Sequence, residues 1–578
     1  MPTQRYPAVR FVPQLGAKSS QVEKELEIAN QKAHAARWSH ARRKQKKKEQ
    51  EEALRAQSQG LATGAQQDVD PTERYESGEY GHVSTYQPED SLRLRKHFTT
   101  SRTHLSLLEI LRDGNSDPFN TQGLPITPII NKLITFIRDA YLPGVYVTSY
   151  MKFRDSVPGA PRLTTIGEGF HVFGRRTVTK VWNSMKEELS EEGRALSWCS
   201  SYLPVLAKFS APDTARELNV LAIKMRTKSM KILKGHIEKM SLDTPPDISL
   251  ISQIVSLFRA ACKEGDIAAA KIHAGIIQRL VDRVEVPDRH IQTLFMTCMN
   301  NDSELAIAQI RNTFFDYENW IQKQIHRFWA ETMEKSVPAL PPGYLALHKS
   351  ITLSATRQAA IRLRQYLVYR STVVDLNDPE DLNRTDAIYT NFTTYSQYDS
   401  GVLINVYINL ISGRVYKMEK SSRLIEAALA LTTLHVSRRG IMEATVYGCD
   451  HRSSHHIILI NHLEGTMRQA MDTAAADVLD RYREALLWVC FYGARFEWRV
   501  NQKIQGLTPP RIWFSKTFAQ QAEILGLTEW PQAREILQQF VFYEFLEPYL
   551  PMWFDETMRL HVRRDEEHEQ LDVPSYLT

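Results

Sequence analysis

Cysteine is scarce in this chain. The 578 residues hold five, Cys199, Cys262, Cys298, Cys449 and Cys490, with no C-x-x-C pair and none before position 199. An odd number without paired spacing argues against a disulfide framework and predicts a reducing compartment. Long apolar runs are lacking as well. The stretch from Val402 to Ile411 is broken by Asn405 and Asn409, and none nears the ~18 apolar residues of a spanning helix. The opening MPTQRYPAVRFVPQLG holds no apolar core for a signal peptide. The expectation is a soluble intracellular protein without a membrane partner.

The loops that carry familiar chemistry are also missing. There is no G-x-G-x-x-G, no phosphate loop ending in Gly-Lys-Ser/Thr, no G-x-S-x-G and no H-E-x-x-H. Adjacent carboxylates such as Glu51/Glu52 and Glu566/Glu567 lie in charged runs. No catalytic residue and no cofactor is therefore expected. An enzyme whose groups converge on a pocket in the helical body is the weakest of the functional readings.

What the chain does have is a segregation of charge. Residues 1–48 contain twelve Lys/Arg against three Glu, or +9, so an overall +5 leaves −4 on the remaining 530 residues. Between Ala29 and Lys48, Lys32, Arg37, Arg42, Arg43, Lys44, Lys46, Lys47 and Lys48 occur without an acid among them. Such a cluster suits a nuclear-import receptor or the phosphates of DNA, which it would bind without reading sequence. A third reading is a solvated helix face with Lys47–Glu51 and Lys48–Glu52 pairs. A basic zipper is excluded: only Leu54 and Leu61 stand at heptad spacing, and Gly60, Gly64 and Pro71 break the helix in place of sustained heptads.

Residues 1–56 read as a basic tail, with a helix opened by the Ser20…Glu23 capping spacing and striped by Val22, Leu26, Ala29, Ala33 and Ala36. Residues 57–100 read as a disordered linker, 101–560 as an all-helical domain, and 561–578 as a charged C-terminal tail. The segment Asp113 to Pro128 reads as an ordered loop. The clearest element is a helical hairpin. Leu250, Ile251, Ile254, Val255, Phe258 and Cys262 share one face, Gly265 suits a left-handed cap, and Asp266 can start the next helix. That second helix shows two apolar stripes, Ile267/Ala270/Ala274/Ile277/Val281 and Ala269/Ile272/Ile276/Leu280, as expected of a helix between neighbours. Further helical patterns cover 214–240, 289–334, 354–372, 400–436, 466–504 and 517–556. No sustained strand alternation and no fixed-length repeat is visible. The predicted fold is all-α, a multi-helix array.

Several segments in order resemble the fungal-specific transcription factor domain proteins, relatives of the zinc-cluster activators. FVPQLG (Phe11 to Gly16) with HAARWSHARRK (His34 to Lys44) is similar to the head of members without a zinc cluster. SDPFNTQGLPIT resembles the entry to the helical domain. EGDIAAAKIHAGIIQRLV (Glu264 to Val281), LLWVCFYGA (Leu486 to Ala494) and LGLTEWPQAREILQQFVFYEFLEPY (Leu525 to Tyr549) resemble its later signatures. The resemblance implies a helical regulatory (middle homology) domain and nuclear control of transcription, in some relatives of a biosynthetic gene cluster. It departs from the usual pattern in one respect: with no cysteine before Cys199, the six-cysteine DNA-reading cluster cannot form. DNA contact then falls to the basic tail or to a DNA-binding partner. The implied partners are an import receptor and the transcription machinery, with a homodimer left open. The alternative is a nuclear scaffold or co-regulator that never touches DNA.

Two further groups merit naming. In CDHRSSHH, Cys449, His451, His455 and His456 form a weak metal candidate, set against a polar loop or surface histidines. His273 reads as a buried neutral histidine held by a hydrogen bond. Lys224, Arg226, Lys228, Lys231 and Lys234 read as a solvated face, and Trp488, Trp498, Trp530 and Trp553 as core.

Overall fold

The computed structural model describes residues 123–142, 163–165, 182–183, 185–239, 245–285, 288–336, 346–375, 377–413, 417–445, 454–503, 511–544, 547 and 549–571. All lie in the unit that runs from Asp117 to Thr578. The basic tail, the linker and most of the Asp113-to-Pro128 loop fall outside the described residues.

The described fold is all-α. In chain order the helices are α1 (Pro128–Phe136, extended by a π turn Ile137–Tyr141), α2 (Glu192–Ala207), α3 (Pro212–Lys239), α4 (Ile248–Glu264), α5 (Ile267–Val281), α6 (Arg289–Gln309), α7 (Gln322–Ser336, preceded by a π turn Tyr317–Ile321), α8 (Ser354–Arg370), α9 (Pro379–Ser412), α10 (Lys420–Thr445), α11 (Ser454–Thr473), α12 (Ala476–Lys503), α13 (Trp513–Ile524), α14 (Trp530–Leu537) and α15 (Leu550–Leu571). Two three-residue strands, β1 (Leu163–Thr165) and β2 (Val373–Asp375), pair antiparallel with Leu163 opposite Asp375. No helix among the described residues is long and apolar enough to cross a membrane.

Local chemistry explains the boundaries. Asp247, Asp266, Asp288 and Asp378 each accept a backbone N–H in the first turn of α4, α5, α6 and α9, at 2.8–3.0 Å. This satisfies donors that the helix itself leaves orphaned. Gly265 ends α4 at φ 73°, a conformation that favours glycine, so the hairpin forms as its punctuation predicts.

The core is built around two helices enveloped on every side. In α10 every residue from Leu424 to Arg438 is buried, and in α12 the run from Ala485 to Glu497 likewise. A helix without an exposed face must sit inside a bundle; α10 is packed by α8, α9, α11 and α12. Thr432 and Thr433 stay apolar in effect by donating to the carbonyls of Ala428 and Leu429 at 2.8 Å. A second, smaller core joins α1, α2 and α3 through Leu133, Trp198, Leu203 and Leu218.

Several sequence expectations need correction. The 289–334 pattern is two helices, because the chain turns at Ile310 (φ 48°) and Asp302 accepts the N–H groups of Phe314 and Phe315 at 2.9 and 3.1 Å. The 400–436 pattern is the end of α9 and the start of α10, divided at Gly413 (φ 66°). The 466–504 and 517–556 patterns likewise split, into α11/α12 and α13/α14/α15. The second stripe of α5 is covered only in part: Leu280 is buried and Ala269 and Ile276 are half-buried, whereas Ile272 is 63% exposed.

Candidate functional site

The described site best suited to a ligand lies between α8 and α9. From α8, Arg362, Tyr366 and Tyr369 fall at i, i+4 and i+7; from α9, Phe392, Tyr395 and Asp399 fall at i, i+3 and i+7. Both spacings put three side chains on one helix face. The two faces meet in opposite order, as antiparallel helices require. Arg362 donates Nε–H to Asp399 at 3.0 Å and a second N–H to its other oxygen. Further along, the Tyr366 and Phe392 rings stack at 3.7 Å, tilted by 12°. The Arg362 guanidinium also lies 5.0 Å from the Tyr395 ring and 5.6 Å from the Tyr398 ring, within cation–π range.

These side chains border a cavity of about 330 Å³, whose lining adds the amides of Gln358, Gln365 and Asn391 and the hydroxyl of Ser396. A second, open cavity of about 450 Å³ shares Gln358 and Arg362 and is lined further by Glu318, Gln322, Ser354 and Tyr398. The volumes fall in the range of small-molecule pockets, typically ~300–1,000 Å³, and the 330 Å³ cavity is lined by aromatic and aliphatic side chains interleaved with polar ones.

Charge inside the groove is internally compensated. Burial, the larger effect, raises the Asp399 carboxyl from its ordinary value, and the Arg362 guanidinium pulls it back. Burial also lifts the phenols: Tyr398 is pushed up to about 12 and remains a neutral donor. The lining of the 330 Å³ cavity includes no cysteine, histidine or lysine. The groove offers stacking and neutral hydrogen bonds in place of a nucleophile with an adjacent base.

The histidines of the CDHRSSHH segment go elsewhere. Cys449 and His451 lie outside the described residues, as do Arg37, Arg42, Arg43, Lys44, Lys46, Lys47 and Lys48. His456, buried at the start of α11, faces His435 of α10, with Nδ1 atoms 3.1 Å apart. Half-buried His455 joins an ionic cluster with Lys263 of α4, Glu304 of α6 and Arg438 of α10. Lys263 Nζ lies 2.8 Å and Arg438 3.8 Å from the Glu304 carboxylate. Burial alone would raise Glu304, but Lys263, Arg438 and His455 outweigh it and hold the carboxyl at about 2. Burial and the Arg438 charge hold His455 down at about 4. Among the described residues no group of three His, Cys, Asp or Glu is arranged to hold a metal. Neither histidine is an exposed surface residue: His456 is buried and His455 half-buried.

His273 is buried as expected, but its Nδ1 finds no hydrogen-bond partner among the described residues; burial lowers its pKa and keeps it neutral. Trp488, Trp530 and Trp553 are core residues and Trp498 is half-buried. The groove itself was missed by sequence reasoning. The signal was present as aromatic residues at helical spacing with one charge each, Arg362/Tyr366/Tyr369 and Phe392/Tyr395/Asp399. No family model matches the chain, and no curated protein or solved structure shows detectable similarity to it.

Proposed function

We propose that this chain is a nuclear transcription regulator of the fungal, zinc-cluster-related type, in which a basic tail addresses the nucleus and a helical body receives a small effector. The observation that carries the reading is the charge segregation, +9 in residues 1–48 against −4 in all the rest. A polybasic segment on a near-neutral body suits an import receptor or a phosphate backbone. The ordered motif resemblance along the chain supports the same role. The aromatic groove between α8 and α9 supports effector binding, since its groups suit recognition and not bond breaking.

The test is a fluorescent fusion in which Arg37, Arg42, Arg43, Lys44, Lys46, Lys47 and Lys48 are replaced by Ala. Loss of nuclear accumulation is expected, and unchanged accumulation refutes the import role. Direct DNA contact by the tail would give log affinity falling with log salt by about 0.9 per phosphate contact.

A second reading, a nuclear scaffold that never touches DNA, is favoured by the absence of cysteine before Cys199. Promoter occupancy by the purified chain without any partner separates the two: binding supports the regulator, and a requirement for a DNA-binding partner supports the scaffold.

A further inference from the structure

α3 carries a long face that the described residues leave exposed. The helix docks on α2 and α4 through Leu218, Ala222, Ser229 and Leu233, all buried. The Ser229 hydroxyl donates to the Gly193 carbonyl at 3.0 Å, Gln253 Nε2 donates to the Ser229 hydroxyl at 2.8 Å, and Arg226 is clamped by Glu264. Its 28 residues span roughly 42 Å. Away from the docked side, Val220, Ile223, Met230 and Ile237 are between 39% and 58% exposed. With Arg216, Thr227 and Lys234 they advance along the helix in steps of four and three.

Steps of four and three make the 3.5-residue repeat by which one helix reads another. A strand or an extended peptide, with its period of two, would not match it. Along one edge of this seam stand Lys224, Lys228 and Lys231, and Lys234 lies within it, all exposed. The exposed residues from 216 to 238 count five cations (these four and Arg216) against two anions, Glu217 and Glu238, a surplus of three. Lys228 and Lys234 pair with Glu192 and Glu238 in the open, where such pairs are weak and exchange readily.

We propose that this face of α3 is the docking seam for an acidic amphipathic helix of a partner protein, with apolar residues in its own seam and carboxylates along its flank. The proposal stands apart from the effector groove, which lies on α8 and α9. A second copy of the chain would bring the same cation surplus against itself, and so would the chain's own basic tail. A nucleic-acid backbone would pair with the lysines but leave four aliphatic side chains in water. An acidic helix satisfies both features at once, attraction along the flank and burial along the seam.

The test uses the full chain and a labelled synthetic helix matched to the 28 residues of α3, with Leu at the seam positions and Glu at the flanks, read by fluorescence anisotropy. A control helix has Lys at the flanks. The acid-flanked helix is expected to bind, more weakly as salt rises, and the lysine-flanked helix at least about tenfold less tightly. Ile223→Gln with Met230→Gln, both on exposed positions, is expected to weaken binding about tenfold or more while leaving the melting curve unchanged. Should that variant misfold, Lys224→Glu with Lys231→Glu is expected to reverse the preference between the two helices. Equal binding of the two helices, no binding of either, or indifference to both variants overturns the proposal. A homodimer that Ile223→Gln/Met230→Gln dissociates overturns it in favour of a second copy. Duplex DNA binding lost in Lys224→Glu/Lys231→Glu alone overturns it in favour of nucleic acid.

Discussion

Arg495 of α12 donates its Nε–H to Glu547 at 2.8 Å, and neither side chain is reached by solvent. Arg499, one turn on, donates to the same carboxylate. The Arg495 guanidinium also lies 4.3 Å from the Trp498 ring and 5.1 Å from the Trp553 ring. The carboxylate thus holds two cations in an aromatic interior and ties the segment before α15 to α12. Removing one member of a buried ion pair strands the other in a medium that solvates it poorly. Glu547→Ala is therefore expected to destabilise the body by about 3–5 kcal/mol. Urea denaturation at neutral pH checks it, and a loss below about 1 kcal/mol would contradict the account.

The cluster around Glu304 predicts a two-step loss of stability in acid. His455 is held at about 4 in the fold against an ordinary 6.5, so the unfolded chain binds the proton first. Its contribution is complete above pH 6.5 and lost as the pH falls toward 4. Glu304, at about 2 against 4.5, contributes fully above pH 4.5 and loses it as the pH falls toward 2. Both slopes have the same sign, because the unfolded state takes up protons first. The urea midpoint should fall between pH 6.5 and 4, and His455→Gln should flatten that segment. An unaltered slope in the variant would remove His455 as its source.

The two stripes of α5 make opposite predictions within two turns of helix. Ile277 is fully buried and Ile272 is 63% exposed. Ile277→Ala is expected to cost about 2–5 kcal/mol through lost contacts and an unfilled cavity. Ile272→Ser should stay within about 0.5 kcal/mol. Thermal melts of the two variants distinguish them directly, and comparable losses would mean that α5 has a second covered face.

Gly401 packs against the ring of Tyr317, so closely that any Cβ there would overlap it. Tyr317 itself is anchored by its hydroxyl, which donates to the Met299 carbonyl at 3.0 Å. Gly401→Ala is expected to cost about 1–3 kcal/mol through overpacking. Gly275→Ala, on a helix with open space around it, is expected to gain about 0.5–1 kcal/mol from helix propensity. Circular dichroism melts of the pair test the contrast; a stabilising Gly401→Ala would refute the close approach.

How much of this could be read in advance follows from how local each cause is. The α4–α5 hairpin was legible because Gly265 and Asp266 lie side by side and both act on their own backbone. The break after α6 was not, because its cause is Asp302 reaching across twelve residues to Phe314, and the turning residue, Ile310, carries no glycine signal. Gly413 did carry that signal, but the apolar pattern on both sides of it masked the boundary between α9 and α10. The groove was legible in part: periodicity marks the faces of α8 and α9, while the pairing of Arg362 with Asp399 across 37 residues depends on the tertiary fold. The surroundings of His455 and His456 had no local sign, since Lys263 and Arg438 near His455 come from α4 and α10 and His435 facing His456 comes from α10.

The enclosure of α10 bears on how the protein can be cut and marked. A protease needs an extended stretch of backbone and a kinase needs an approachable hydroxyl, and from Leu424 to Arg438 the folded body presents neither. Cleavage in that segment, or a phosphate on Thr432 or Thr433, would register that the bundle had opened, which makes α10 a built-in reporter of unfolding.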